Sequence, residues 1–325
     1  MEGWQYIMKK RPVGILLFTI VIMAAFVFSA CAQSGAGKEP IGEYIISDAY
    51  TYESFSIDAL PSPSGIACSA GNLLVTDVEN HCLVVLDQDM NPIQTIGKLG
   101  SAPLEFNGPT AIAINDDNYY ILDNGNRRVQ ILNADFEYVD SVPLREEVNV
   151  YGLPYQDIAV DSRGTVYFSS GSPAPGTADV CKVEDGQSVP VLRKVSGFLT
   201  AHAGEVYFIN KGEFASSKKG TILDYNAPCY LYREATGEKT DLPSALTAFD
   251  FVVEDSCLYC LTHGGARIQK LSLAGDYIET IADFTLGAES ELKWCMTPYI
   301  ASDGEGNFYT TNSDHGVIYK VTFLK

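Results

Sequence analysis

Few side chains in this chain have a type and spacing that could do chemistry. The 325 residues hold four histidines, His81, His202, His263 and His315, and an imidazole can bind a divalent metal or move a proton. His81 and His315 each follow the second strand of a repeated unit, and together they form the candidate metal pair. His315 also reads simply as a loop residue. Cys257 and Cys260 have the spacing of a metal or redox pair, but "DSCLYCLTH" around them alternates as a strand does. Residues three apart on a strand face opposite sides. Asp77 and Asp123 close apolar runs, where a carboxylate caps the following loop more readily than it acts as an acid. No Ser, Cys or Lys has the setting of a nucleophile, and no catalytic residue is assigned. Arg127 and Arg128 stand side by side in "ILDNGNRRVQILN", although the chain carries a formal charge of −19.

The ends and the charge limit where this chemistry would operate. Lys9, Lys10 and Arg11 precede an apolar run from Val13 to Phe28 and then "SAC", the order of an export signal over residues 1–30. The run is shorter than the ~20 residues that span a bilayer. Cys31 after Ser29 and Ala30 resembles a bacterial lipoprotein signal, and the resemblance implies lipidation at Cys31. Residues 31–43 would then be a lipidated cysteine and flexible tether, and the mature protein would be held on the outer side of the cell membrane. Loss of residues 1–30 removes three basic residues and one acidic one, leaving −21. Such a field repels phosphate backbones and excludes nucleic acid as a partner. Seven cysteines follow Cys31, an odd number that argues against a complete disulfide framework and for small buried side chains.

An internal repeat dictates the elements that must position these residues. Apolar strand, tight turn, strand, loop, strand, turn, strand is clearest over 64–97 and 110–142 and recurs from Asp157, Phe198, Phe249 and Tyr299. The anchors Ile66, Ile112, Ile158, Leu199, Phe251 and Ile300 lie 46, 46, 41, 52 and 49 residues apart. Four short strands at that period predict an all-β fold, a six-bladed β-propeller over residues 44–325. The sixth copy lacks a fourth strand, and "YTYESFSI" (50–57) is expected to supply it and close the ring.

The residues also resemble the NHL-repeat six-bladed propellers. Blade two has the family's run as Asp123, Asn126, Arg128, Val129 and Gln130. Blade five keeps Arg267, Ile268 and Gln269, and blade one keeps Asp77 and Asn80 with Cys82 in the arginine's place. The linker "GKLGSAPLEFNGP" is similar to the family's interblade segment through Gly97, Gly100, Phe106 and Pro109. The resemblance implies a scaffold role for Arg128, and a surface position for the column of His81. Related propellers include lactonases, a lyase of amidated-peptide precursors and streptogramin lyase, so a metal-dependent lyase or lactonase is one implied alternative.

The two faces of the expected propeller differ. Turns between strands one and two and between three and four are minimal, such as "SAGN" and "HAGE". Long segments fall on the opposite face: 211–228 in blade four, "SGSPAPGTA" in blade three, 143–154 before blade three and 282–297 before blade six. At the channel mouth of that long-loop face the reading places Ser64, Thr110, Tyr155, Asp157, Phe198, Phe249, Asp250 and Tyr299, with Tyr151 and Trp294 in flanking loops and Arg127 at the rim. Aromatic residues with a few carboxylates suit a protein, peptide or glycan of the cell envelope; the same residues suit packing between blades. The expectation is a lipid-anchored binding module without cofactor. The alternatives are a lyase or lactonase with a divalent metal at His81 and His315, and a structural component of an envelope complex.

Overall fold

The computed structural model describes residues 46–116, 118–144, 155–170, 179–217, 220–224, 229–243, 246, 248–262, 265–284 and 298–324. They form six antiparallel sheets of four strands or more. From the axis outward, blade one is Pro63–Ser69, Asn72–Asp77, Cys82–Leu86 and Pro92–Ile96, and blade two Pro109–Asn115, Asn118–Asp123, Arg128–Leu132 and Tyr138–Pro143. Blade three is Tyr155–Val160, Val166–Ser170, Asp179–Glu184 and Gln187–Arg193. Blade four is Val195–His202, Glu205–Ser217, Tyr230–Arg233 and Glu238–Asp241, and blade five Ala248–Glu254, Cys257–Thr262, Arg267–Ser272 and Tyr277–Asp283. Blade six has Ile300–Ser302, Phe308–Asn312 and Val317–Phe323, with Tyr50–Ser56 as its outermost strand, paired from Tyr50↔Phe323 to Ser56↔Val317. Each innermost strand packs against that of the next blade, and blade six against blade one, so the chain is a six-bladed propeller.

Local chemistry explains the short turns. Ala70 and Gly71, Asp185 and Gly186, Ala203 and Gly204, and Asp255 and Ser256 all have positive φ, the backbone of the primed two-residue turns that match strand twist. Four other short turns use one polar side chain as a template. Asp87 accepts backbone N–H bonds from Asp89 and Asn91, Asn133 from Asp135 and Glu137, Asp161 from Arg163 and Thr165, and Asp303 from Glu305 and Asn307. Part of the acidity of the chain is therefore turn chemistry.

The blade-four insertion is a hairpin. Glu205–Ser217 runs past its pairing with Tyr230–Arg233 and turns back as Gly220–Asp224, in register from Glu213↔Asp224 to Ser217↔Gly220. The core lies between the sheets, where Val75, Val84, Leu122, Val129, Phe168, Phe251 and Ile318 are essentially inaccessible. Cys257 and Cys260 pack into different clusters, as opposite faces of one strand require, and the six described cysteines are all free thiols. The expected signal and tether, Cys31, Tyr151, His263, Trp294 and most of the loops before blades three and six lie outside the described residues. Among the described residues no helix is long and apolar enough to cross a membrane.

Candidate functional site

The residues that carry the blade-two motif build a clamp. Arg128 Nε donates to Asp123 Oδ2 at 2.8 Å, and its Nη2 donates to the carbonyls of Ala102 and Glu105 at 3.0 and 2.9 Å. Asn126 Nδ2 reaches the carbonyl of Gly100, Gln130 holds Leu104 N–H and Glu105 O, and Asp123 Oδ1 accepts from Asn107 N–H. Asp123 is fully buried and Arg128 is partly buried, its side chain 16% exposed. Four side chains thus pin the linker between blades one and two. Asp77 caps in the same way, accepting the N–H groups of Ser62 and Asn80. In blade five, where Thr262 replaces the aspartate, Arg267 pairs with Asp283 of the outermost strand at 2.6 Å.

The two candidate metal ligands are not equivalent. Strand pairing sets Asp77 against Cys82, Asp123 against Arg128 and Asn312 against Val317. His81 and Arg127 therefore share the position just before the third strand, both with φ 55°, and Gly316 fills it in blade six. His315 falls one residue earlier, level with Asn126; its Nδ1 lies 3.0 Å from Asn312 Oδ1, as Asn126 bonds Asp123. The expected common column of His81 and His315 is corrected by this register. His81 Nδ1 accepts the N–H of Gly108 at 2.9 Å. Among the described residues no group of three or more His, Cys, Asp or Glu could hold a metal ion.

The candidate contact residues occupy the start of the inner strands, and most are buried. Tyr155 is locked to blade two by Asn124, which accepts its N–H and donates to its carbonyl, and its ring meets Phe168 edge-on at 5.4 Å. Ser64 donates to the carbonyl of Thr110. Phe249 is half-buried against the core, and Arg127 is half-buried, its carbonyl accepting Leu144 N–H. The six residues preceding the anchors are Gly65, Ala111, Asp157, Phe198, Asp250 and Tyr299. A Cβ on Gly65 would lie 2.5 Å from Ala111 Cα, so the first two blades approach too closely for any other residue. The Tyr299 hydroxyl crosses the axis to donate to the carbonyl of Gln156 at 2.5 Å, and its ring packs edge-on against Phe198 at 6.2 Å.

Asp157 and Asp250 complete that layer, each tying its blade to the next. Asp157 accepts the N–H groups of Ile158 and of Leu199 in blade four, and Asp250 those of Phe251 and of Ile300 in blade six, all at 2.8 Å. Burial pushes the Asp157 carboxyl up to about 7. Burial, and then the charge of Asp157, raise Asp250 well above the usual carboxylate range.

Beneath this layer the axis holds a cavity of about 190 Å³ whose walls include Ala67, Ala113, Ala159, Ala201, Val252 and Ala301. The spacing of aromatic residues gave no sign of this cavity. Its signal was the repeated Ile-Ala of "GIAC", "AIAI", "DIAV" and "YIAS", which puts a small residue at one level of four blades. A second cavity of about 260 Å³ lies on the short-turn face between blades six and one, lined by Cys68, Asp87, Asp303, Glu305, Tyr309 and Lys320 among others.

The NHL repeat model matches residues 60–86, which span the first three strands of blade one. No curated protein matches the chain by sequence. Among solved structures, a catalytically inactive virginiamycin B lyase from Staphylococcus aureus with quinupristin aligns over 84% of this chain and 99% of its own, at TM-score 0.56 and 12% identity. A Trichoderma reesei enzyme of carbohydrate-active family AA12 aligns over 90% and 99%, at 0.57 and 12%. An auxiliary nutrient binding protein from Bacteroides thetaiotaomicron aligns over 82% and 70%, at 0.52 and 12%. At these identities the likeness is one of fold. The chain is a six-bladed β-propeller that carries an NHL repeat in its first blade.

Proposed function

We propose that this protein is an extracytoplasmic, lipid-anchored propeller that binds a protein, peptide or glycan of the cell envelope through its long-loop face. One observation carries the reading: the hairpin Glu213–Ser217 and Gly220–Asp224 carries the second strand of blade four past its pairing with Tyr230–Arg233 on that face, while the described turns opposite are tight and templated. Added strand on one face enlarges a docking surface at little cost to the ring. The likeness to a nutrient binding protein agrees with this reading. The buried tyrosines and Phe198 would support such a surface from below, leaving direct contact to the loops and the hairpin.

The test replaces residues 214–223 with a two-residue Asn-Gly turn, which keeps Gly212 and Glu213 paired with Ser196 and Val195, and compares the mature proteins, intact and shortened, as bait for crosslinked envelope material. Loss of a specific retained partner on shortening, at unchanged melting temperature, supports the assignment. Equal retention removes it. A second reading, a metal-dependent lyase or lactonase, draws on the fold shared with virginiamycin B lyase. Against it stands the engagement of His81 Nδ1 by Gly108.

A further inference from the structure

The axial cavity is a well with one closed end. At the long-loop end, Asp157, Phe198, Asp250 and Tyr299 are all buried, and the Tyr299 hydroxyl bridges to Gln156 across the axis. Toward the short-turn end the wall residues Cys68, Ala113, Ala201, Val252 and Ser302 become half-exposed. The open end therefore lies on the face opposite the long loops. The volume of about 190 Å³ far exceeds the ~10–15 Å³ that one water needs.

The floor chemistry is one-signed. Among the described residues two buried carboxylates line the well, and no Lys, Arg or His does. Each Asp oxygen that accepts an N–H keeps acceptor capacity for a further donor. Other groups packed about the pair are Tyr299, Cys68 lower in the wall, and Cys260 behind Asp250, all neutral when protonated; burial pushes the Cys68 thiol up to about 12. On the strand ends and turns beyond, Asp116, Glu254, Asp255 and Asp303 add negative charge. Among the described residues Arg163 pairs with Asp161 at 2.9 Å and Lys320 donates to the carbonyl of Gln88 at 3.3 Å. An uncompensated buried carboxylate pair is costly, and a cation entering the well relieves it.

We infer that the well binds an unbranched primary alkylammonium group, entering from the short-turn face, with its nitrogen between Asp157 and Asp250 and its methylenes against the alanine and valine walls. A primary ammonium brings three donors to carboxylates that have lone pairs to spare. Calcium, which takes 6–8 oxygen ligands, finds aliphatic walls instead. Such a group is carried by a free alkylamine or by a lysine side chain. This site is separate from the long-loop face and stands or falls without it.

The test is titration of the mature protein with n-pentylammonium, 1-pentanol and the capped peptide acetyl-Gly-Lys-Gly-amide, followed by calorimetry at pH 5.5 and 8.5. Expected is n-pentylammonium binding with Kd on the order of 1 mM at pH 8.5, at least about tenfold weaker at pH 5.5, where the pair holds protons and the amine remains charged, with 1-pentanol weaker than either. Peptide binding as tight as the amine's identifies a lysine as the source, and binding of the amine alone a free amine. Ala113→Phe, which fills the open end without touching the carboxylates, should abolish binding, as should Asp250→Asn. Equal binding of amine and alcohol, absence of amine binding at pH 8.5, or undiminished binding by folded Ala113→Phe protein overturns the proposal.

Discussion

Arg128 holds three partners with one guanidinium, and one of them, Asp123, has no exposure to water. Removing that cation leaves a buried carboxylate with amide donors only. Arg128→Ala should therefore cost about 3 kcal/mol or more, whereas Arg127→Ala should cost no more than ~0.5 kcal/mol; urea unfolding of the two variants checks this contrast. Asp157 and Asp250 set a second test. Their folded-state pKa values are raised, so the fold binds protons that the unfolded chain releases. Their contribution is full below the ordinary value of 3.8; that of Asp157 is lost as pH rises through about 7, and that of Asp250 is likewise lost as pH rises through its own raised value. Melting temperature should fall between pH 5 and pH 8 more steeply in the native protein than in the Asp157→Asn, Asp250→Asn double variant. An equal slope in both would refute the burial of a shared charge. The capping role of Asp123 and the scaffold role of Arg128 were legible because the motif is local in sequence, whereas the grip of Asn126 and Gln130 on the linker needed the structure. That Tyr299 meets Gln156 was not, because it depends on how six separate strands are spaced about one axis.

At the scale of elements, the repeat period determined strand number and order, and the polar turns marked one face. Two features needed the structure. The insertion at 211–228 reads as a loop, since "FASSKKGTILDY" carries no strong turn signal, yet 213–217 and 220–224 pair in register. The apparent equivalence of His81 and His315 came from aligning histidine to histidine; strand register instead aligns His315 with Asn126, because Asn312 pairs with Val317 as Asp123 does with Arg128. Sequence alignment of a five-residue turn tolerates a slip of one, and a hydrogen-bonded ladder does not.

For the whole molecule, the proposed lipid anchor has a direct test. If Cys31 carries the anchor, Cys31→Ser should move the protein from the membrane fraction to the soluble one in cell fractionation, with the propeller's melting temperature unchanged; retention in the membrane would refute lipid anchoring. The pairing of Tyr50–Ser56 with Val317–Phe323 also governs the order of assembly. Five sheets are each made from one continuous stretch of chain and can zip as that stretch becomes available. The sixth brings together segments from opposite ends of the domain, a contact of high sequence separation that we expect to close last. The segment before Tyr50 enters beside that seam with the Ser47 N–H bonded to the carbonyl of Thr280 in blade five, so any pull from the N-terminal side loads the outermost strand of blade five before it reaches the seam.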